Sequence, residues 1–239
     1  MGSQCLKGEG RFQLALERRV AMNPDLDPEC RLALAYVPAD RRPALEALWR
    51  LDVTLGQVLA TGTDPMISRI RLAWWREALE RLDRERAPAE PVLEATAADV
   101  LSKGVSGGEL AAMVDGWEVL TEPGGLGESD LAAYARARGG LLFRHAARLL
   151  GDCEHPVVEA GSRWALADLA RRCGNARESK AALEAAFAIA GGTARWPAPL
   201  RPLGMLAILA DRDVARGNPE AQGSPGRIWR MIRHRLTGR

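Results

Sequence analysis

The sequence is short of lysine, of tyrosine and phenylalanine, and of long apolar runs. Its 33 basic residues include only three lysines, Lys7, Lys103 and Lys180, and against 31 acids the formal net charge is +2. So even a balance supplies no basic field for nucleic acid, and no nucleic-acid partner is expected. No run of about 18 apolar residues is present, which excludes a membrane-spanning helix. No apolar run follows the early Lys7 as it would in a secretory leader. The expectation is a cytoplasmic protein, at most peripheral to an inner membrane. The four cysteines, Cys5, Cys30, Cys153 and Cys173, lie far apart. In a chain too large to need covalent staples they read as reduced thiols. Sustained period-two alternation is missing and β-branched residues are sparse, so nothing argues for a sheet. There is no repeat of fixed period, which excludes a solenoid.

What is present is helical periodicity. The chain has 239 residues, 47% of them hydrophobic, enough for one sizeable core. The reading begins at Ile70-Arg71-Leu72-Ala73-Trp74-Trp75-Arg76-Glu77-Ala78-Leu79. On a helix the two tryptophans point about 100° apart. Ile67, Ile70, Trp74 and Ala78 follow one row, and Leu72, Trp75, Leu79 and Leu82 another. An apolar face this wide predicts a helix in the middle of a bundle. Arg76 and Glu80 are expected to pair on its wet side, and Arg71 to stack on Trp75. Asp64 is the expected cap, with the helix ending near Arg86.

Around this element, residues 1–10 read as flexible, 12–22 as a short helix and Asn23-Pro24-Asp25 as a turn. Asp27-Pro28 suits an N-cap followed by proline at the first helical position. Further helices are expected over 29–36, 41–61, 92–102, 109–120, 128–149, 156–173, 176–190, 200–214 and 228–236. The fold class is therefore all-α, a single helical domain over 11–225 with a basic amphipathic helix over 226–239.

Four stretches in this order resemble the squalene/phytoene synthase family. They are Tyr36-Val37-Pro38-Ala39-Asp40-Arg41-Arg42-Pro43-Ala44-Leu45, the Trp-Trp helix, Tyr134-Ala135-Arg136-Ala137-Arg138-Gly139-Gly140 with Leu149-Leu150-Gly151, and Gly161-Ser162-Arg163-Trp164-Ala165-Leu166. The resemblance covers most of residues 30–215, and the Trp-Trp stretch is its most specific part. It implies an isoprenoid-synthase bundle around a central cavity. Active members condense two prenyl diphosphates with magnesium, held by two Asp-rich motifs on facing helices. Mg²⁺ is bound by a few carboxylates together with substrate phosphates, and spacing of four puts a carboxylate pair on one helix face.

This chain departs from that pattern at both places. The first motif falls on Gly56, Gln57 and Ala60, with Asp52 one turn earlier the nearest acid. The second falls near Arg172 and Ala176, within a segment that also holds Asp168 and Arg171. Tyr134, Gly139 and Gly140 belong to the stretch that lines the family's substrate site. The expectation is a synthase-like protein without prenyl transfer and without a metal or cofactor, acting as an assembly or lipid-handling factor with an isoprenoid or lipid ligand. It resembles the branch of the family that is similar to a mitochondrial respiratory complex I assembly factor. The alternative is a divergent Mg²⁺-dependent prenyltransferase using Asp52 and Asp168. A third possibility is a helical interaction module whose Trp-rich helices are plain core.

The simpler readings of these residues are packing and pairing. Asp52 reads as a partner for an arginine on a neighbouring helix, and Asp168 with Arg171 or Arg172 as an ordinary surface pair. Asp211 and Asp213 suit a helix end, and Asp25, Asp27 and Glu29 suit capping. Cys153-Glu154-His155 lacks the second ligand pair of a zinc site. His145 reads as structural. Gly139-Gly140 inside a helix predicts a close approach or a kink. Residues 226–239 hold Arg227, Arg230, Arg233, Arg235 and Arg239 and no acid. Ile228, Trp229, Ile232 and Leu236 recur there at helical spacing. This helix either lies on an anionic membrane surface or in a partner's groove, or docks its apolar side on the bundle.

Overall fold

The structure is a computed structural model that describes residues 26–62, 64–122, 124–151, 155–191 and 195–239. The helix expected over 12–22, the turn at 23–25, and Cys5 and Cys153 lie outside the described residues. Among those residues every regular element is a helix.

Capping sets where the first helices begin. In α1 (Pro28–Ala35) the Asp27 carboxylate accepts from the amides of Glu29 and Cys30, with Pro28 at the first position. The long α2 (Arg42–Ala60) buries Leu45, Leu48, Trp49 and Leu55. In α3 (Pro65–Arg81) Asp64 accepts from Met66 N at 2.8 Å, so the expected cap is in place.

α3 stops at Arg81, not near Arg86. Just beyond it, Asp83 accepts from the amides of Gly107 and Gly108 at 2.6 and 3.0 Å, which fastens the chain to the start of α5. α4 (Pro91–Ala95) continues through a π turn at Thr96–Val100 and a 3₁₀ turn at Leu101–Lys103. Gly104, at φ +88°, closes it in the left-handed region that favours glycine. α5 (Gly107–Ala111) opens on a capping box between Ser106 and Glu109, and α6 (Val114–Glu118) follows. α7 (Glu128–Tyr134) runs through a second π turn, Ala135–Gly140, into α8 (Leu141–Leu149). Then come α9 (Val158–Arg172), α10 (Ala176–Ala188), α11 (Arg201–Arg216) and α12 (Pro225–Thr237).

Two helices organise the packing. α9 touches the second π turn, α8, α10 and α11; α2 touches α3, α4, α6 and α8. The second π turn lies against α6, α7 and α9, and so joins the two groups. Its Gly139 meets Gly161 of α9: a Cβ on either would overlap the carbonyl oxygen of the other. The glycine pair therefore gives both the close approach and the irregular turn expected of it.

The Trp-Trp helix is not the middle of the bundle. The row of Leu72, Trp75, Leu79 and Leu82 is buried, together with Ser68 and Ala78. Ile67, Ile70 and Trp74 stay 50%, 63% and 44% exposed. α3 is an outer wall, and Trp74 rests edge-on against Trp75 with centroids 5.3 Å apart. Arg76 does not pair with Glu80; it reaches α6 and bridges Asp115 and Glu118. Arg71 bonds the Thr61 hydroxyl at 3.4 Å.

Candidate functional site

The interior between α2 and α9 is occupied by one guanidinium. Arg138 lies in the second π turn and is 2% exposed. Its Nε and Nη2 donate to the two oxygens of Asp52 on α2 at 3.1 and 3.0 Å, a bidentate fork. Its Nη1 stands 2.8 Å from Asp168 Oδ2 on α9 and donates to the Tyr134 hydroxyl. Trp117 and Trp164 stack on the same cation, at 4.3 and 5.0 Å from their ring centroids. Asp168 accepts a second charge-assisted bond from Arg172, one turn on, at 2.9 Å.

This local structure follows from the sequence. Tyr134 and Arg138 are four apart, so both side chains leave one face of the α7–π segment. Gly116 lets α6 approach the Arg138 backbone, and a Cβ on Gly56 would meet the Trp117 ring at 2.8 Å. The Trp117 ring thus fills the space beside Gly56.

The electrostatics match the geometry. Burial opposes ionisation of Asp168, but Arg172, Arg138 and Arg171 together hold its carboxyl well below the usual carboxylate range. Burial works against the Arg138 charge too, yet Asp52, Tyr134 and Asp168 keep it firmly protonated. Burial pushes the Tyr134 hydroxyl well above its ordinary value, so it is neutral.

The expected site residues divide between this centre and other places. Asp52, Gly56, Tyr134, Asp168 and Arg172 surround Arg138 or its stacked rings, and Gly139 and Gly140 set the turn that carries it against α9. Gln57 instead faces an open groove of about 420 Å³ with Thr54, Val58, Thr61, Arg71, Trp74 and Trp75. Ala60 is buried at the end of α2.

Asp168 is not a surface pair: it is buried, and burial is what makes its two guanidinium contacts necessary. Arg171 turns away from it toward Glu29 and Asp213, at 3.9 and 3.5 Å. Those two acids were expected at a cap and a helix end, but both are buried. They clamp Arg227 of α12, with Nε 2.6 Å from Glu29 and Nη1 2.7 Å from Asp213. Asp27 alone caps α1, which leaves Glu29 free to point inward. Asp211 pairs with Arg163 at 2.8 Å.

Sequence reasoning passed over Arg138, Trp117 and Trp164. The usable signal was Tyr134 and Arg138 at i, i+4 just before a glycine pair. His145 is buried, and burial lowers it to about 4, so it is neutral at pH 7.

These helices form an all-α bundle around a buried ionic centre, and the all-α architecture agrees with the isoprenoid-synthase type. The family model for squalene/phytoene synthase matches residues 25–180, and the chain belongs to that family. No curated protein and no solved structure gives a match.

The family implies a magnesium centre, and the residues present do not fit one. The two carboxylates that converge between α2 and α9 already hold a guanidinium. No group of three His, Cys, Asp or Glu among the described residues is arranged to hold a metal. A divalent cation about 4 Å from a buried guanidinium would be repelled by several kcal/mol even at an effective dielectric of about 20.

Proposed function

We propose that this chain is a squalene/phytoene synthase-like protein without prenyl-transfer activity, and that it acts as an assembly or lipid-handling factor. The observation that supports this is Arg138, seated between Asp52 and Asp168 where catalysis would need open carboxylates. Diphosphate ionisation requires metal charge at the leaving group. Here the positive charge is built in, is fully engaged by two carboxylates and a hydroxyl, and lies under two indole rings. The assembly role rests on the resemblance to the assembly-factor branch, together with buried ion pairs, Arg138 with Asp52 and Asp168 and Arg227 with Glu29 and Asp213, that tie helices to one another.

The test is direct. Farnesyl diphosphate with Mg²⁺ is expected to release no diphosphate and to leave the melting temperature unchanged. Robust turnover would overturn the proposal. It would favour the second reading, a divergent prenyltransferase, which draws on the fact that Asp52 and Asp168 do converge from facing helices. That reading needs Arg138 to leave its carboxylates during turnover.

A further inference from the structure

α12 docks on the bundle with only part of its apolar stripe turned inward. An amphipathic helix on a bundle normally buries its apolar stripe and shows water its charges. Here the buried residues are Arg227, Met231 and His234, Ile228 packs partly against the core, and Arg227 is held by Glu29 and Asp213. The outward residues are Trp229 and Leu236, 66% and 73% exposed, with Ile232 half-buried beside them. Residues 229, 232, 233 and 236 fall on one side at helical spacing.

The helix is fixed in this orientation at both ends. The Arg227 clamp holds its first turn. At its last turn Arg201 donates to the carbonyls of Arg235 and Leu236 at 3.1 and 3.0 Å, and Trp196 N donates to Gly238 O at 3.0 Å. Rotation to hide Trp229 would break all of these contacts.

Charge identifies what this face meets. From residue 221 onward there is no Asp or Glu. Arg233 and Arg239 are exposed around Leu236, and exposed Arg195, bonded to the Thr237 carbonyl, adds a third guanidinium at the same end. Arg230 and Arg235 are drawn back, toward Glu220 and over the Tyr36 ring. An apolar row with an indole, flanked by cations and free of acids, matches the boundary of a lipid bilayer whose headgroups are negative.

The other exposed apolar row, Met66, Ile67, Ile70 and Trp74 on α3, lacks this complementarity. Arg71 is exposed beside Ile70 and Trp74, but exposed Asp64 caps the same helix and exposed Glu77 and Glu80 lie on it, so the α3 row is of mixed charge where α12 has no acid.

The geometry points to α12 as a surface that docks this protein on an anionic membrane through Trp229, Ile232 and Leu236, with Arg233, Arg239 and Arg195 on the headgroups. This stands apart from the absence of prenyl transfer, and either can fail alone. The test is co-sedimentation of the full chain with phosphatidylcholine vesicles containing about one-third phosphatidylglycerol, and with pure phosphatidylcholine. Binding is expected on the anionic vesicles alone, and is expected to weaken as salt rises. Arg233→Glu with Arg239→Glu should weaken it about tenfold or more. Trp229→Ser with Leu236→Ser should do likewise. Both pairs replace exposed side chains, so an unchanged melting temperature confirms the fold. Ile67→Ser with Ile70→Ser should leave binding intact. Absence of binding to anionic vesicles at low salt, equal binding to neutral ones, insensitivity to both α12 pairs, or loss on changing α3 would each overturn it.

Discussion

Replacing Arg138 by Met tests the reading of the buried centre most severely. The guanidinium is the only cation on Asp52 among the described residues, whereas Asp168 keeps Arg172 when Arg138 is gone. Breaking a buried pair and stranding one charge costs about 3–5 kcal/mol. Loss of the stacking under Trp117 and Trp164 adds on the order of 1–2 kcal/mol. For a chain of this size each kcal/mol moves the melting point by about 2–4 °C, so Arg138→Met should lower it by roughly 8–28 °C. Adding Asp52→Leu removes the stranded acid. The double variant should recover most of the loss, because replacing both partners of a buried pair by apolar groups is often near neutral. Arg138→Lys should fall between, since a lysine keeps the charge but not the fork or the stack. Urea titration of the four corners of the cycle gives the coupling directly. A coupling below about 0.5 kcal/mol would refute the argument that Asp52 and Arg138 neutralise one another.

Four further outcomes are expected. Gly139→Ala should cost about 2–4 kcal/mol by denaturant titration, because the methyl meets the Gly161 carbonyl and the Ala165 side chain of α9. Trp75→Ala should cost about 3–5 kcal/mol and Trp74→Ala under about 1, a contrast that reads which tryptophan is core. Arg227→Met should leave Glu29 and Asp213 with only the longer contacts to Arg171 and release α12, seen as rapid amide exchange over 225–237, while Arg71 in the outer groove should tolerate the same change. Burial lowers His145 and His234 to about 4, so the unfolded chain takes up protons at a pH where the native chain does not. Stability is then full above about 6.5 and declines as pH falls toward 4, by on the order of 1–2 kcal/mol per histidine at pH 5. Melting curves at pH 7 and 5 check this, and the double His→Gln variant should show a flatter profile. Asp168 has no part in that window, because its depressed carboxyl loses its contribution only in stronger acid.

Helix positions were legible in the sequence because capping and periodicity are local. Asp27-Pro28 and Asp64-Pro65 begin helices where their chemistry says they should. The glycine pair at 139–140 announced an irregularity, and the π turn is there. The side of a helix that meets the core was harder to read. Trp74, Ile67 and Ile70 have the composition of core but lie on an outer wall, since burial depends on which helices arrive opposite. The ionic centre was least legible. Arg138 meets Asp52 across 86 positions and Glu29 meets Arg227 across 198, and no spacing rule reaches that far. The expected i, i+4 bond from Arg172 to Asp168 is present, but the pair is buried rather than on a surface, because Arg138 reaches Asp168 from another element and Arg171 is drawn to Glu29 and Asp213.

The clasp between Glu29 and Arg227 has a consequence for synthesis. Glu29 is made early, and the arginine that neutralises it follows 198 positions later. While the chain is being translated, that carboxylate has its principal mate still unmade, and only the longer contact to Arg171 is available to it. Domains fold vectorially as they leave the ribosome, and contacts this remote in sequence form late. Arrested translation products ending before residue 227 should therefore be open to protease around α1, and completion of the chain should close the molecule in a single late step.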